Sequence, residues 1–351
     1  MRARVIFNPT SGREIVKKHL VEIFQVYEEA GYETSAYATT PEPKSAQNEA
    51  ERAARAGFDL IVAAGGDGTI NEVVNGMAGL KKRPKLAIIP AGTTNDYARA
   101  LHIPRNNLVE AAKIIHKKQS FFMDVGEAIM GKDLSYFINI GGGGMMTELT
   151  YDVPSQLKTI FGYLAYFVKG AEILPRIKPI PMHIEYDDGT FEGEATMFLV
   201  ALTNSIGGFE QIAPDALLDD GKFTLIIVKT SNLPDVLRLV AQVLNGGRHI
   251  TNPNILYKKT SKIIARPGNE SKMMINLDGE YGGNAPVVFT NLHQHIEIIA
   301  STDDLQKAVD HKDETSEVLE DAFIKEVEGL TNSDINGDGE IHSSTKEAYE
   351  K

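Results

Sequence analysis

The segment AAGGDGTINE (residues 63–72) joins a predicted strand to a predicted helix and decides the fold of the N-terminal part of the chain. The apolar run Leu60–Val62 predicts a buried strand, and residues 69–75 predict the first turns of a helix. Glycines at such a junction let backbone N–H groups approach an anion, which the helix N-terminus also favours. Asp67 would repel a phosphate unless a divalent cation lay between them, so the segment predicts a nucleotide bound with Mg²⁺.

Two common nucleotide-binding patterns do not fit this segment. A P-loop requires a lysine after its last glycine, but Thr69 follows Gly68. A dinucleotide fingerprint requires a third glycine where Asn71 stands. The alternative without a ligand is a tight turn in which Asp67 caps the helix, and this segment by itself leaves both interpretations open.

Two further segments repeat the same plan. NPTSG (residues 8–12) follows a strand predicted for residues 3–7, and PAGTTND (residues 90–96) follows a strand predicted for residues 85–89. A helical pattern comes after each segment. Because the carboxyl ends of parallel strands lie on one edge of a sheet, we expect the three segments to meet where ligands of doubly wound α/β folds bind.

Two later segments, LLDDGKF (residues 217–223) and NLDGEYGG (residues 276–283), complete a set of five motifs. Their order and spacing resemble the diacylglycerol-kinase catalytic domain, and more closely the soluble bacterial diacylglycerol kinases of Gram-positive organisms. The resemblance covers about residues 1–300. It implies an ATP- and Mg²⁺-dependent lipid kinase that converts diacylglycerol to phosphatidate by in-line transfer to its primary hydroxyl. The alternatives are a kinase of the same fold for another lipid or a small alcohol, and a non-catalytic nucleotide or lipid sensor.

The resemblance also implies which residues contact ATP. The hydroxyl groups at or near predicted strand ends agree with this role, and Thr40 is an adjacent alternative to Thr39. The expected ATP contacts are Asn8, Pro9, Thr10, Ser11, Gly12, Thr39, Gly66, Asp67, Gly68, Thr69, Ile70, Asn71, Glu72 and Thr93.

Two carboxylates are expected to be catalytic. In the resembled family Asp67 would hold the catalytic Mg²⁺, and Glu280 would be the general base that accepts the proton of the attacking hydroxyl. Asp278-Gly279-Glu280 follows an apolar strand, so Glu280 can project from a turn. The alternative is a plain hairpin with solvated acids, because Asp-Gly pairs mark turns.

A second, structural Mg²⁺ site is implied at residues 217–222. The side chain of Asp220 and the backbone carbonyls of Leu217 and Lys222 would bind the ion, because oxygen donors suit a hard cation. Asp96 would connect to this site through water. The alternative is an Asp-Asp-Gly turn without metal.

The domain organisation follows from a change in sequence pattern near residue 125. Residues 1–125 alternate strands and helices, as a doubly wound parallel α/β domain requires. Residues 126–290 are rich in predicted strands and predict a β-sandwich, with residues 291–300 returning to the first domain and a ligand cleft between the two. The absence of cysteine excludes disulfides and thiolate metal sites and fits a reducing cytoplasm, and no signal peptide is expected.

The distribution of charge bears on the partners. The net charge is −12, and residues 301–351 contain 15 acidic residues and 5 lysines, which gives −10. Residues 1–300, with 33 acidic and 31 basic residues, carry only −2 and would not be strongly repelled by an anionic membrane. We expect a cytoplasmic protein, peripheral at the inner membrane face, that meets diacylglycerol there and binds no nucleic acid. A homodimer is one option for its assembly.

Three segments have competing interpretations. The apolar run of residues 160–168 is too short to span a bilayer and fits either a core helix or a helix lining a lipid cleft. Residues 141–144, all glycine, fit either a lipid entrance or a close-packed turn. In the acidic tail, residues 334–341 resemble the first half of an EF-hand loop, but Thr345 stands where a glutamate is expected. Weak Ca²⁺ binding and a disordered tail are both open, with the candidate ligands Asp334, Asn336 and Asp338.

Overall fold

The computed structural model describes residues 1–144, 179–204, 212–229, 248–268 and 272–301, together with residues 235, 238, 239, 242 and 243. Its helices are α1 (Ile15–Glu29), α2 (Ser45–Arg55), α3 (Asp67–Met77), α4 (Asp96–Ala100) and α5 (Leu108–Lys113), with short 3₁₀ turns at Ser11–Glu14, Ile114–Lys117 and Arg248–Thr251. Its strands in chain order are β1 (Arg2–Phe7), β2 (Glu33–Ala38), β3 (Leu60–Gly65), β4 (Lys85–Pro90), β5 (Ser120–Met130), β6 (Asp133–Phe137), β7 (Ile140–Gly144), β8 (Ile180–Tyr186), β9 (Gly189–Ala195), β10 (Met197–Ala201), β11 (Phe223–Val228), β12 (Ile255–Thr260), β13 (Lys262–Pro267), β14 (Met274–Leu277), β15 (Glu280–Asn284) and β16 (Val287–Ile299).

The N-terminal strands form a parallel sheet covered by helices on both sides. Their order is β2-β1-β3-β4, and each neighbouring pair is parallel. Helices α1 and α5 pack together, and α2 and α3 form a second pair, each pair contacting strands of the sheet. Every residue of β3 is buried, as expected for a strand covered on both faces. This part of the chain is the predicted doubly wound α/β fold.

Two long strands connect this sheet to the rest of the molecule. β16 runs parallel to β4 at the Ile298–Leu86 pair, and it pairs antiparallel with β5 from Ile299–Ser120 to Val288–Ile129. The first half of β16 also pairs with β13. A single sheet therefore passes from the N-terminal α/β part into the C-terminal β part.

The C-terminal part is a β-sandwich, as predicted. Its second sheet has the antiparallel order β12-β11-β10-β7-β14-β15 and packs on the β5, β8, β13 and β16 side of the first sheet. Aromatic rings fill the space between the sheets, and the ring of Phe137 stacks on that of Phe223 with centroids 5.7 Å apart. The same ring meets Phe289 edge-on, also at 5.7 Å.

The four-glycine segment is a buried strand, β7, which corrects the expectation of a turn. A side chain at Gly143 would lie 2.7 Å from the ring of Phe198, and one at Gly141 would lie 3.0 Å from that of Phe289. These glycines are closely packed, as one of the two interpretations expected. They lie in a strand and not in a turn, and the absence of side chains makes room for aromatic rings.

Some expectations lie outside the described residues, namely the apolar run of residues 160–168 and the tail of residues 302–351. Among the helices that are described, none is long and apolar enough to cross a membrane.

Candidate active site

The loop after β1 is held by its own polar side chain. Asn8 Oδ1 accepts hydrogen bonds from the backbone N–H of Thr10 (2.9 Å) and from its hydroxyl (2.8 Å). Gly12 has a φ of 55°, and a side chain there would collide with Ile15 and with the carbonyl of Ala91. The first and third predicted nucleotide loops therefore pack against each other, as expected.

Glycines bring the loops after β3 and β4 into direct contact. A Cβ at Gly92 would lie 2.6 Å from the Cα of Gly66 and 2.8 Å from Asn95 Oδ1, and a Cβ at Gly65 would meet Thr69 at 2.5 Å. Gly68 differs, because a Cβ there would meet no atom within 4 Å. Internal packing accounts for the first three glycines, whereas open space lies in front of Gly68.

Asp67 is the first residue of α3 and points toward the beginning of α4. Its Oδ1 accepts a hydrogen bond from the backbone N–H of Tyr97 at 3.3 Å. Burial raises the pKa of Asp67 above its ordinary value of 3.8, and the charge of Asp278 adds to this, while backbone N–H donors from Asn95 to Tyr97 partly offset it. A cation placed beside Asp67 would favour its ionised form.

The remaining residues of the α3 segment have different surroundings. Ile70 is fully buried, and its N–H donates to the carbonyl of Gly66 at 3.2 Å, so it shapes the loop from within the core. Glu72 accepts a hydrogen bond from the N–H of Ala46 at the beginning of α2 (2.9 Å). Its carboxylate therefore joins α2 to α3.

The other expected ATP contacts lie at the same edge of the sheet. Thr39 directly follows β2, and its N–H donates to the carbonyl of Phe7 at 2.9 Å. Thr93 is exposed in the loop after β4, and Pro9 and Ser11 are half-buried in the loop after β1.

Glu280 begins β15 directly after a two-residue hairpin turn. Leu277 pairs with Glu280, and the intervening Asp278 and Gly279 both have positive φ, 50° and 91°, as type I′ turns require. Glu280 itself is exposed. The hairpin interpretation is therefore correct for the backbone, but Asp278 is not a solvated acid.

The carboxylate of Asp278 accepts four hydrogen bonds. The donors are the side-chain amide of Asn71 on α3 (2.8 Å) and three successive backbone N–H groups, of Ile138, Asn139 and Ile140 (each 2.9 Å). Burial raises the pKa of Asp278, and these donors partly offset that effect. The first turns of α3, which carry Asp67, are thereby joined to the hairpin that carries Glu280.

The expected structural metal loop lies beside a buried aspartate of β5. Asp220 Oδ1 accepts the N–H of Lys222 at 2.9 Å, and its Oδ2 lies 3.9 Å from Lys259 Nζ. Asp124 is fully buried and accepts the N–H of Gly221 at 2.7 Å. The same carboxylate accepts the N–H of Gln294 at 2.8 Å, at an irregularity of β16.

Leu217 and Asp96 are the other two residues expected near this metal. Leu217 is 58% exposed, and Asp96 is buried at the beginning of α4. The backbone N–H of Asp96 donates to Asp67. Asp96 thus contacts the expected catalytic aspartate directly.

The carboxylate of Asp67 is the type of donor that Mg²⁺ uses in proteins. Within the described residues, no group of three or more histidine, aspartate and glutamate side chains converges as a metal site. Mg²⁺ is usually held by one or two carboxylates, water and substrate phosphates. Asp67, at the edge of the glycine loops, has the chemistry for such a site.

Three polar residues at the site were missed from the sequence, namely Asn75, Asp124 and Asp278. Asn75 lies one turn after Asn71 on α3 and pairs with both backbone groups of Tyr136, donating to its carbonyl and accepting its N–H, each at 2.8 Å. The signal available in the sequence was the spacing of Asp67, Asn71 and Asn75. Residues four apart share one face of a helix, and asparagine is a poor helix former.

Comparisons with known proteins give matches to one family of kinases. The family model described as the diacylglycerol kinase catalytic domain matches residues 2–128, and the model of the YegS C-terminal NAD kinase beta sandwich-like domain matches residues 147–300. The chain is 53% identical to the diacylglycerol kinase of Bacillus subtilis (strain 168) over 298 residues, 85% of this chain and 96% of that protein. It is 45% identical to the diacylglycerol kinase of Staphylococcus aureus (strain JH9) over 318 residues, 91% of this chain and 98% of that protein.

A solved structure shows the same fold. The crystal structure of a diacylglycerol kinase from Bacillus anthracis str. Sterne aligns with a TM-score of 0.66 and 26% sequence identity, covering 86% of this chain and 97% of that one. The match includes most of both the α/β and the β-sandwich parts. The chain belongs to the diacylglycerol kinase family.

Proposed function

We propose that this protein is an ATP-dependent kinase that phosphorylates the primary hydroxyl of diacylglycerol to phosphatidate. The names of the relatives and the match of both family models support this activity. The observation that carries the mechanism is the 2.8 Å hydrogen bond between Asn71 and Asp278. It joins the helix that carries Asp67 to the hairpin that carries Glu280. The residue proposed to act on the phosphates and the residue proposed to act on the acceptor hydroxyl are therefore connected through this hydrogen bond.

ATP is proposed to bind along the edge formed by the loops after β1, β2, β3 and β4. The open space in front of Gly68 leaves room for a phosphate close to the backbone at the N-terminus of α3, which favours negative charge. Asp67 is proposed to hold the catalytic Mg²⁺, which when bound neutralises the charge of the transferred phosphoryl group. Asn8, Thr10, Ser11, Thr39 and Thr93 are the polar side chains proposed to orient the nucleotide.

Glu280 is the proposed general base. Its carboxylate accepts the proton of the primary hydroxyl while that oxygen bonds to the γ-phosphorus, and the bond from the γ-phosphorus to the β,γ-bridging oxygen breaks to leave ADP. Its exposed position at the beginning of β15 allows a lipid substrate to reach it.

The second Mg²⁺ is proposed to bind Asp220 and the carbonyls of Leu217 and Lys222. The loop is fixed by Asp124 through the N–H of Gly221, and the N–H of Asp124 donates to the carbonyl of Leu218 at 2.8 Å. These bonds support a preformed loop of oxygen donors. The ammonium group of Lys259 lies 3.9 Å from Asp220 Oδ2, and the metal would have to displace it.

The division into domains is also proposed as predicted, with residues 1–125 and 291–300 binding nucleotide and residues 126–290 binding lipid. The protein would act at the cytoplasmic face of the membrane, where its substrate resides, without spanning the bilayer.

A homodimer is the proposed assembly, and sedimentation of the purified chain measures it. Weak Ca²⁺ binding by Asp334, Asn336 and Asp338 is tested by calorimetric titration with Asp334→Ala as the control.

The experiment that tests the substrate is an acceptor panel in mixed micelles with labelled ATP and Mg²⁺. The panel contains diacylglycerol, a sphingoid base and glycerol. Label in phosphatidate alone is the expected result. Transfer only to another acceptor would keep the fold and the mechanism but replace the substrate, and ATP binding without any transfer would favour a sensor.

A further inference from the structure

Asp278 stands out because its carboxylate is surrounded by donors from both parts of the molecule. The amide of Asn71 comes from the α/β part, and the N–H groups of residues 138–140 come from the connection between β6 and β7 and from the first residue of β7. The N–H of Asp278 also donates to the carbonyl of Ile140 at 2.8 Å. A carboxylate held by successive N–H groups has one well-defined orientation.

The partner of Asp278 is itself held in place. Asn75 donates to both the carbonyl and the side-chain oxygen of Asn71, at 3.0 and 3.1 Å. Asn71 and Asn75 also both donate to the carbonyl of Tyr136, at 3.3 and 2.8 Å. We call Asn71, Asn75, Tyr136 and Asp278 the asparagine cluster. It fixes one face of α3 against β6 and the hairpin turn.

The two proposed catalytic carboxylates lie directly beside this cluster. Asp67 is one helical turn before Asn71, and Glu280 is two residues after Asp278. In the part of the chain that the structure describes, the side chain of Glu280 makes no hydrogen bond or ion pair. Its position relative to Asp67 is therefore set by the backbone of the turn.

We propose that Asp278 is a positioning residue, which through its hydrogen bonds to Asn71 and to the backbone of residues 138–140 fixes the distance between Glu280 and Asp67. The inference rests on the proposed kinase activity. Asp278 touches neither nucleotide nor lipid in this role. A misplacement of about 1 Å in a catalytic group can cost on the order of 100-fold in rate, so loss of these bonds acts on phosphoryl transfer.

The test compares Asp278→Asn and Asn75→Ala with a matched control. Asparagine keeps the size of the side chain and tolerates positive φ. Its NH₂ group, however, faces two N–H donors and cannot accept their hydrogen bonds. Asn75→Ala removes the two hydrogen bonds of Asn75 with the backbone of Tyr136 and its two with Asn71, without touching the hairpin. Asn284→Ala is the control, because it removes only an exposed 2.7 Å hydrogen bond to the Tyr281 hydroxyl in the same hairpin.

The measurements are kcat with diacylglycerol, KM for diacylglycerol, the Kd for ATP and Tm, with kinetics recorded well below Tm. We expect Asp278→Asn to lower kcat by about 100-fold and Asn75→Ala by about tenfold, with the Kd for ATP within about twofold of wild type. Asn284→Ala should leave kcat unchanged. A merely structural role would instead lower Tm and the amount of folded enzyme, with kcat per folded molecule retained.

The outcomes separate this inference from the proposed function. Wild-type transfer to diacylglycerol with an unchanged kcat in folded Asp278→Asn would overturn the positioning role alone. If Asp278→Asn does not fold, an unchanged kcat in Asn75→Ala would overturn it. If the wild-type enzyme transfers no phosphate to diacylglycerol, the proposed function and this inference both fail.

Discussion

Asp187 illustrates how strongly a single side chain can be held in this molecule. It lies in the turn between β8 and β9, and its carboxylate accepts hydrogen bonds from the N–H and hydroxyl of Ser261, from the N–H of Lys262 and from Lys222 Nζ at 2.9 Å. Burial alone would raise the pKa of Asp187, but Lys222 and Ser261 outweigh it and hold that pKa well below its ordinary value of 3.8. One carboxylate thus joins the proposed metal loop to two strand turns.

The stability contributed by Asp187 should depend on pH. Because its folded-state pKa lies below the unfolded value, the contribution is present above about pH 4 and is lost as pH falls through the folded-state pKa. We expect Asp187→Asn to lower the free energy of unfolding by about 1 kcal/mol at neutral pH, since the site is partly exposed and screened, and by less at about pH 2.5. Urea unfolding at both values measures this, with Asp188→Asn as the control. A loss that does not change with pH would contradict the account.

The strand-to-helix junctions explain why glycines that look equivalent in the sequence have different roles. Gly66 and Gly92 admit each other's backbone, whereas Gly68 has open space in front of it and no positive φ. The first two glycines are therefore required for the fold, and Gly68 is required only if a ligand approaches.

This difference gives a paired prediction. Gly92→Ala should destabilise the protein by several kcal/mol, because the new methyl group would lie 2.6 Å from the Cα of Gly66. Gly68→Ala should leave Tm unchanged or slightly higher but raise the Kd for ATP by about tenfold, since its methyl group occupies the space proposed for a phosphate. Thermal melts and calorimetric ATP titrations measure both. An unchanged Kd for ATP in Gly68→Ala would exclude Gly68 from the proposed phosphate site.

Elements with strong local signals were predictable from the sequence, and those fixed by distant partners were not. The apolar runs of residues 60–62 and 85–89 predicted β3 and β4. Glycine has a low strand propensity, so β7 could not be read locally, because the aromatic rings that require it come from β6, β10 and β16. The Asp-Gly turn before Glu280 was visible, but the N–H groups that hold Asp278 lie about 140 residues earlier in the chain.

Two sets of contacts among the described residues connect the α/β part to the β-sandwich. The β5–β16 pair runs through the α/β part and the sandwich, and Asp124 binds the irregularity of β16 to the loop at Gly221. The asparagine cluster makes the second connection at α3. The β5–β16 pair and the asparagine cluster therefore both fix the α/β part relative to the sandwich near the candidate site.

The proposed structural metal lies in the loop that Asp124 fixes through the N–H of Gly221. We expect Asp220→Ala to remove one Mg²⁺ per chain and to lower kcat by about 10- to 100-fold, because the loop at residues 217–222 would lose a ligand. Equilibrium dialysis with Mg²⁺, together with the transfer assay, measures both. A Mg²⁺ stoichiometry equal to that of wild type would show that residue 220 binds no metal.

Removal of the acidic tail tests whether residues 302–351 are needed for catalysis. The matched family models end at residue 300, and the described sheet ends with β16. A chain ending at Ser301 should therefore keep its kcat within about twofold of the full chain, since the proposed catalytic groups all lie before residue 301. A loss of more than tenfold, with Tm unchanged, would assign the tail a part in catalysis.

The most direct test of the central claim is phosphate transfer from γ-labelled ATP to diacylglycerol by wild-type enzyme and by Glu280→Gln, with Mg²⁺ and mixed micelles. The account predicts labelled phosphatidate from the wild type, a kcat about 100- to 10,000-fold lower in the variant, and equal ATP binding in both. Wild-type turnover in Glu280→Gln would exclude Glu280 as the base. A wild-type enzyme that binds ATP but forms no phosphatidate would contradict the claim itself.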